Sequence, residues 1–101
     1  MIINLTPHVV HIEDRDFEPS GTIARCAEVT GYGGTFDGVM LVTKSFGEVE
    51  NLPDPVNGVM YIVSMLVRSA CPDRHDLASP GDLVRDDKGN IVGCKNLAVN
   101  K

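Results

Sequence analysis

Cysteine is scarce in this sequence. Cys26, Cys71 and Cys94 are an odd number at wide spacing, whereas a disulfide-stapled secreted domain of this size usually carries about four to eight. No charged segment followed by an apolar stretch opens the chain, so no signal peptide is expected. Long hydrophobic runs are missing too. The longest near-apolar stretch, Val59 to Val67, is about half a membrane span and contains Ser64. These absences predict a soluble, reduced, cytoplasmic protein with no membrane partner. Basic charge is in deficit as well: 9 Lys and Arg against 14 Asp and Glu give a net charge of -5. Duplex nucleic acid is therefore not an expected partner, because phosphate binding rests on clustered Lys and Arg. The acidic residues are interleaved with basic ones, as on a solvated surface rather than a mimic of DNA. There is no internal repeat and no low-complexity linker.

What is present is a chain of 101 residues with 43% hydrophobic and 23% charged residues, close to the globular average. That composition argues against disorder, collagen-like repeats and coiled coil. The length supports one domain spanning residues 1–101, burying roughly 60–65% of its unfolded surface, so its core is thin. Turn signals are dense: Thr6-Pro7, Pro19-Ser20-Gly21, Gly31-Tyr32-Gly33-Gly34, Pro53-Asp54-Pro55, Asn57-Gly58, Ser79-Pro80-Gly81 and Asp87-Lys88-Gly89-Asn90. Between them lie short runs rich in Val, Ile and Thr, a rhythm of strands. Ile2 to Leu5 begins a strand that Pro7 interrupts, and Val9 to Glu13 continues extended. Thr22 to Val29 alternates as a half-buried antiparallel strand does. Gly38 to Phe46 holds Val39, Met40, Leu41 and Val42 in sequence, which predicts a central strand covered on both faces. Val59 to Val63 reads as a strand. Ser64 then caps about two turns of helix that end before Pro72. Leu83 to Arg85 and Ile91 to Lys95 form a hairpin around Asp86–Asn90. The expected fold is β-rich α+β, with mostly antiparallel short strands, five to seven in number, and one short helix.

No residue pattern dictates a chemistry. His8 and His11 point to opposite faces of an extended segment, and no CxxC, HExxH or EF-hand spacing occurs, so no metal and no cofactor are expected. Cys71 and His75 flank Pro72 and form a nucleophile pair only if the thiol is exposed and activated; packing at a helix end is the simpler account. Gly31–Gly34 lacks the Lys-Ser/Thr of a phosphate loop and reads as a flexible hairpin loop. Tyr32 and Phe36 beside it either stack on a base or cap a sheet edge. In Pro72-Asp73-Arg74-His75-Asp76, Arg74 is either an internal ion pair or the fork that receives an anionic ligand. Arg85 and Arg25 pose the same choice. Asn4, Thr6 and His8 gather polar groups where proline breaks a strand, as backbone-satisfying turns also do.

The run Asn4-Leu5-Thr6-Pro7-His8 resembles the opening of a widespread family of small proteins, about a hundred residues long, from tailed phages and bacterial genomes. Further matches are Pro19-Ser20-Gly21, Ser45-Phe46-Gly47-Glu48-Val49-Glu50, Tyr61-Ile62-Val63-Ser64, Pro72-Asp73-Arg74, Val84-Arg85-Asp86 and Gly93-Cys94, covering nearly the whole chain. Arg68 departs from the smaller or uncharged residue that the family's helix leads one to expect. The resemblance supplies an origin rather than a mechanism, and it implies action in a bacterial host cytoplasm by binding. One class that fits is a sponge sequestering a nucleotide second messenger of bacterial immunity. Under that reading Thr6, His8, Ser45, Ser64, Arg74 and Arg85 supply phosphate and ribose contacts, and Phe46 or Tyr61 supplies a ring for the base. Two other classes stand beside it. One is a non-enzymatic interaction module that forms homo-oligomers, since thin cores gain burial by association. The other is a small nucleotide hydrolase using His8, His75 or Cys94.

Overall fold

A computed structural model describes residues 1–101. The fold is β-rich α+β, with ten strands and one short helix. Four strands make the first sheet: β1 (Ile2–Asn4), β6 (Met60–Ile62), β7 (Leu77–Pro80) and β10 (Leu97–Val99), in the order β1-β6-β7-β10. The β1–β6 and β6–β7 pairs are parallel and β10 closes the sheet antiparallel to β7. A second sheet runs β3 (Arg15–Phe17), β2 (Val10–Ile12), β9 (Ile91–Cys94), β8 (Leu83–Arg85). Its centre is a parallel contact of Ile12 with Cys94, flanked by the antiparallel β2–β3 and β8–β9 pairs.

The helix α1 (Met65–Ala70) is the crossover between parallel strands β6 and β7, which antiparallel turns cannot join. Its boundaries follow the sequence. Ser64 sits at φ -66° and ψ 157°, and its hydroxyl accepts from the Val67 amide. At the other end the Cys71 amide donates to the Arg68 carbonyl at 3.2 Å, and the side-chain amide of Asn100 donates toward the carbonyls of Arg68, Cys71 and Arg74 at 2.9–3.1 Å, tying the last residues of the chain to the end of the helix. Arg68 donates to the Ser79 hydroxyl at 2.9 Å and reaches Val99 O and Asn100 Oδ1, so this charged residue ties the helix to β7 and to the last residues of the chain.

Two apolar clusters hold the body. Val67 of α1 packs with Leu5, Ala24, Tyr61, Val63 and Leu77; where the sheets meet, Ile62 of the first touches Val10 and Cys94 of the second. Only 12 residues are buried, so the core is as thin as the length implies. No helix is long and apolar enough to cross a membrane.

The remaining strands, β4 (Arg25–Phe36) and β5 (Val39–Glu50), stand apart as an antiparallel ribbon of two 12-residue strands. Its base rests on the first cluster through Cys26 and Val49. Beyond that, no neighbouring element covers it. The Cα radius of gyration is 16.4 Å, against about 13 Å for a rounded domain of a hundred residues.

The ribbon corrects two expectations. Val39 to Val42, whose sequence predicts a strand covered on both faces, are 43–66% exposed. Their β-branched and apolar run specifies a strand, and nothing within one chain covers it. Gly31–Gly34 is not the hairpin loop either. It lies within β4, with a bulge between Tyr32 and Gly34. The turn is Asp37-Gly38, both at positive φ (55° and 81°), the backbone of a two-residue hairpin turn matching the twist of its strands.

Candidate functional site

Asn4-Leu5-Thr6-Pro7-His8 forms a closed polar turn around a buried amide. Asn4, 2% exposed, donates to the carbonyls of His8 (2.7 Å) and Phe17 (2.8 Å), and its Oδ1 accepts from the Thr6 amide (2.9 Å) and hydroxyl (2.7 Å). Every polar atom of that side chain is engaged, as burial of an amide demands. The motif is therefore a structural hub that holds Pro7 and His8 outward beside β2. His8 itself is exposed and its ring makes no hydrogen bond within the chain.

Below this turn lies a groove of about 490 Å³. Its floor is Val10, Val63 and Cys94, one wall is Leu83, Ile91 and Val92 from the β8–β9 hairpin, and Thr6, His8, His11 and Ser64 stand at its polar edges. Gly93 permits this shape: a Cβ there would lie 2.9 Å from the His11 carbonyl, so any larger residue would push β9 off β2. A larger depression of about 570 Å³ beside Met1, Pro55–Met60 and His75 is shallower and open; the apolar-walled groove is the better-formed site.

The groove's chemistry is limited. No Lys or Arg lines it. The Thr6 hydroxyl is spent on Asn4, while the Ser64 hydroxyl accepts from Val67 and keeps its proton to donate. His11 Nδ1 lies 2.6 Å from Asp16 Oδ1. Cys94 is 2% exposed and its thiol is directed at the His11 carbonyl at 3.6 Å. No nucleophile–base pair forms here, and no three His, Cys, Asp or Glu side chains converge anywhere to hold a metal ion.

Of the eight residues singled out from the sequence, Thr6, His8 and Ser64 share the groove. The other five lie elsewhere. Tyr61 is 3% exposed in the first cluster, its hydroxyl 3.4 Å from the Asp54 carbonyl, so it offers no face to a base. Arg74 donates twice to Asp76, Nε to Oδ1 and Nη2 to Oδ2, each at 2.8 Å, and Nη2 also reaches the Pro53 carbonyl at 2.9 Å. This fork is closed on its own chain. The Arg74 hydrogen bonds hold the Asp76 carboxyl below its ordinary range. Arg85 donates to the Gly89 carbonyl at 2.9 Å, bracing its own hairpin loop. Ser45 and Phe46 are exposed on the ribbon. His75 is no partner for Cys71; its Nδ1 lies 3.4 Å from the Asn100 carbonyl.

Reading the sequence missed the groove's apolar wall. Leu83, Ile91 and Val92, 45–55% exposed, sit in the short apolar runs Leu83-Val84 and Ile91-Val92 that any hairpin carries. Their only signal was that three large apolar residues flank one short polar loop. Compared with family models, curated proteins and solved structures, the chain finds no match.

Proposed function

We propose that this chain acts by holding a small ligand rather than by transforming it, with the groove as its seat. The groove carries the reading: about 490 Å³, walled by Leu83, Ile91 and Val92 and edged by His8, His11 and Ser64, it has the size and the mostly apolar lining of small-molecule sites. The ligand class it favours is a nucleotide of low charge. A flat base suits the apolar wall, the Ser64 hydroxyl suits a ribose oxygen, and the His8 imidazole suits a single phosphate. A polyphosphate is disfavoured, because no Arg or Lys lines the groove and the chain carries a net charge of -5. With the phage resemblance, the corresponding role in the cell is a sponge that removes a nucleotide messenger stoichiometrically.

Native mass spectrometry of the protein with cyclic mononucleotides, cyclic dinucleotides and ADP-ribose-type nucleotides tests this. The expected result is intact ligand retained at one per chain. Val92→Glu should abolish retention by placing a charge in the wall. His8→Ala should weaken it roughly tenfold, the value of one charge-assisted hydrogen bond. A folded protein that retains none of the panel would overturn the reading, and release of product masses would replace it with a hydrolase.

A second reading, a non-enzymatic module acting through protein contacts, is favoured by one observation: the ribbon's large apolar side chains are uncovered. The two readings are compatible.

A further inference from the structure

The ribbon sorts its residues by face. Across it Glu28 stands opposite Phe46, Thr30 opposite Lys44, Tyr32 opposite Val42 and Thr35 opposite Met40; the other face pairs Val29 with Ser45, Gly31 with Thr43 and Phe36 with Val39. Two contacts fix the first face: Lys44 lies 3.1 Å from Glu28, and Tyr32 and Thr35 join through their hydroxyls at 2.8 Å. Tyr32, Met40, Val42 and Phe46 therefore share one side. Val29, Phe36, Val39 and Leu41 share the other. All eight are 43–73% exposed.

Three properties identify what covers these faces. The first is stability. A two-stranded hairpin alone in water is marginal, and long apolar edge strands are normally guarded by proline, lysine or inward charge. Between Arg25 and Glu50 there is no proline and one lysine, so the ribbon is built to be covered. The second is charge. From Val29 to Phe46 the only charges are Asp37 and Lys44, which cancel, on a chain of net charge -5. An identical ribbon meets no repulsion there, whereas an acidic or basic partner finds no field to match. The third is area. Eight large side chains exposed to this extent present on the order of 800 Å², roughly 400 Å² on each face, so that two contacts per chain together bury about what one partner contributes to a standard protein interface.

We propose that the ribbon is the arm through which copies of this chain associate, with both of its faces buried against other copies. One two-fold contact covers one face of a ribbon, so the second face calls for a second contact and an assembly of more than two chains. This stands independently of the groove and its ligand.

The test is the solution mass by light scattering and sedimentation equilibrium, for the wild type and for two paired variants. Met40→Thr with Val42→Thr alters one face; Val39→Thr with Leu41→Thr alters the other. Threonine retains strand preference, so the ribbon still forms. The wild type should exceed a dimer. Each pair should lower the mass by a whole step, and all four substitutions together should give a monomer. Amide exchange on the unsubstituted protein gives a separate readout: ribbon amides should lose protection on dilution while Leu77 and Ala78 keep theirs. A monomeric wild type at tens of micromolar would overturn the proposal. So would an assembly whose mass ignores all four substitutions, or ribbon protection that dilution to monomer leaves intact.

Discussion

Val67 and Val42 are the same residue in opposite circumstances. Val67 is fully buried on the inner face of α1, whereas Val42 is 51% exposed on the ribbon. Around Val67 one chain completes the packing, and no buried side-chain polar atom lacks a hydrogen-bond partner. Around Val42 the strand pairing is complete on one edge only, and both faces meet solvent. The contrast teaches that sequence specifies a strand and its cover separately. The body finds its cover within 101 residues; the outer length of the ribbon finds none there.

The sharpest way to break this comparison is to truncate a leucine in each region. Leu77→Ala removes a fully buried side chain from a thin core and should cost about 2–5 kcal/mol, measured by denaturant unfolding in dilute solution. Leu41→Ala, at 43% exposure, should stay within about 0.5 kcal/mol under the same conditions. Equal costs would mean that the ribbon is packed in the isolated chain.

Next in size is Asn4→Ala. It removes four hydrogen bonds at once, takes the acceptor from the Thr6 amide and the Asn4 donors from the Phe17 and His8 carbonyls, and leaves His8 O only the Thr6 hydroxyl at 3.1 Å. The expected loss is about 2–4 kcal/mol in the body, together with loss of ligand retention as His8 loses its anchor. Full stability in this variant would show that the turn is held by something other than its buried amide.

These residues also mark what the sequence could show. The cap at Ser64, the stop before Pro72 and the Asp86–Asn90 hairpin were legible because each depends on local backbone chemistry. Leucine and valine periodicity located most strands, although several of the expected runs proved shorter and the count rose to ten. The Asp37-Gly38 turn was equally local, but the glycines at Gly31–Gly34 drew the reading away from it. The site was far less legible. Whether Arg74 meets a ligand or Asp76 depends on side-chain direction in one loop, and composition does not encode it. Tyr61 in the core and Phe46 on the ribbon are the same kind of residue to a sequence pattern. What separates them is that Tyr61 lies on a central strand between Ile3 and Leu77 of the first sheet, whereas Phe46 lies on the two-stranded ribbon.

The Arg74–Asp76 pair offers an intermediate effect with a defined pH signature. The Asp76 carboxyl titrates below its ordinary value because Arg74 hydrogen-bonds its charged form. A depressed folded value contributes stability above the unfolded value, about 3.9, and loses it as pH falls through the folded value. The side chains are only 22% and 18% exposed, so Asp76→Asn should cost about 1–2 kcal/mol at neutral pH. The variant's deficit should shrink in strong acid, where the parent protein loses the same contribution. A deficit independent of pH would assign the loss to packing instead.

The smallest effect on the body, and the cleanest separation of the two regions, should come from Gly38→Ala. Gly38 holds φ 81° beside Asp37 at 55°, a conformation that alanine enters at a cost of about 1 kcal/mol. No heavy atom lies within 4 Å of the added methyl, so the penalty is one of backbone alone. It acts at the far end of the ribbon, where the strands depend on their turn for register. Amides from Thr35 to Leu41 should exchange faster, and association through the ribbon should weaken by up to tenfold. Unfolding of the body, followed by exchange at Ile62, Leu77 and Ala78, should not change. If the body unfolds earlier in this variant, ribbon and body form one cooperative unit, and the ribbon's stability is not waiting on a partner.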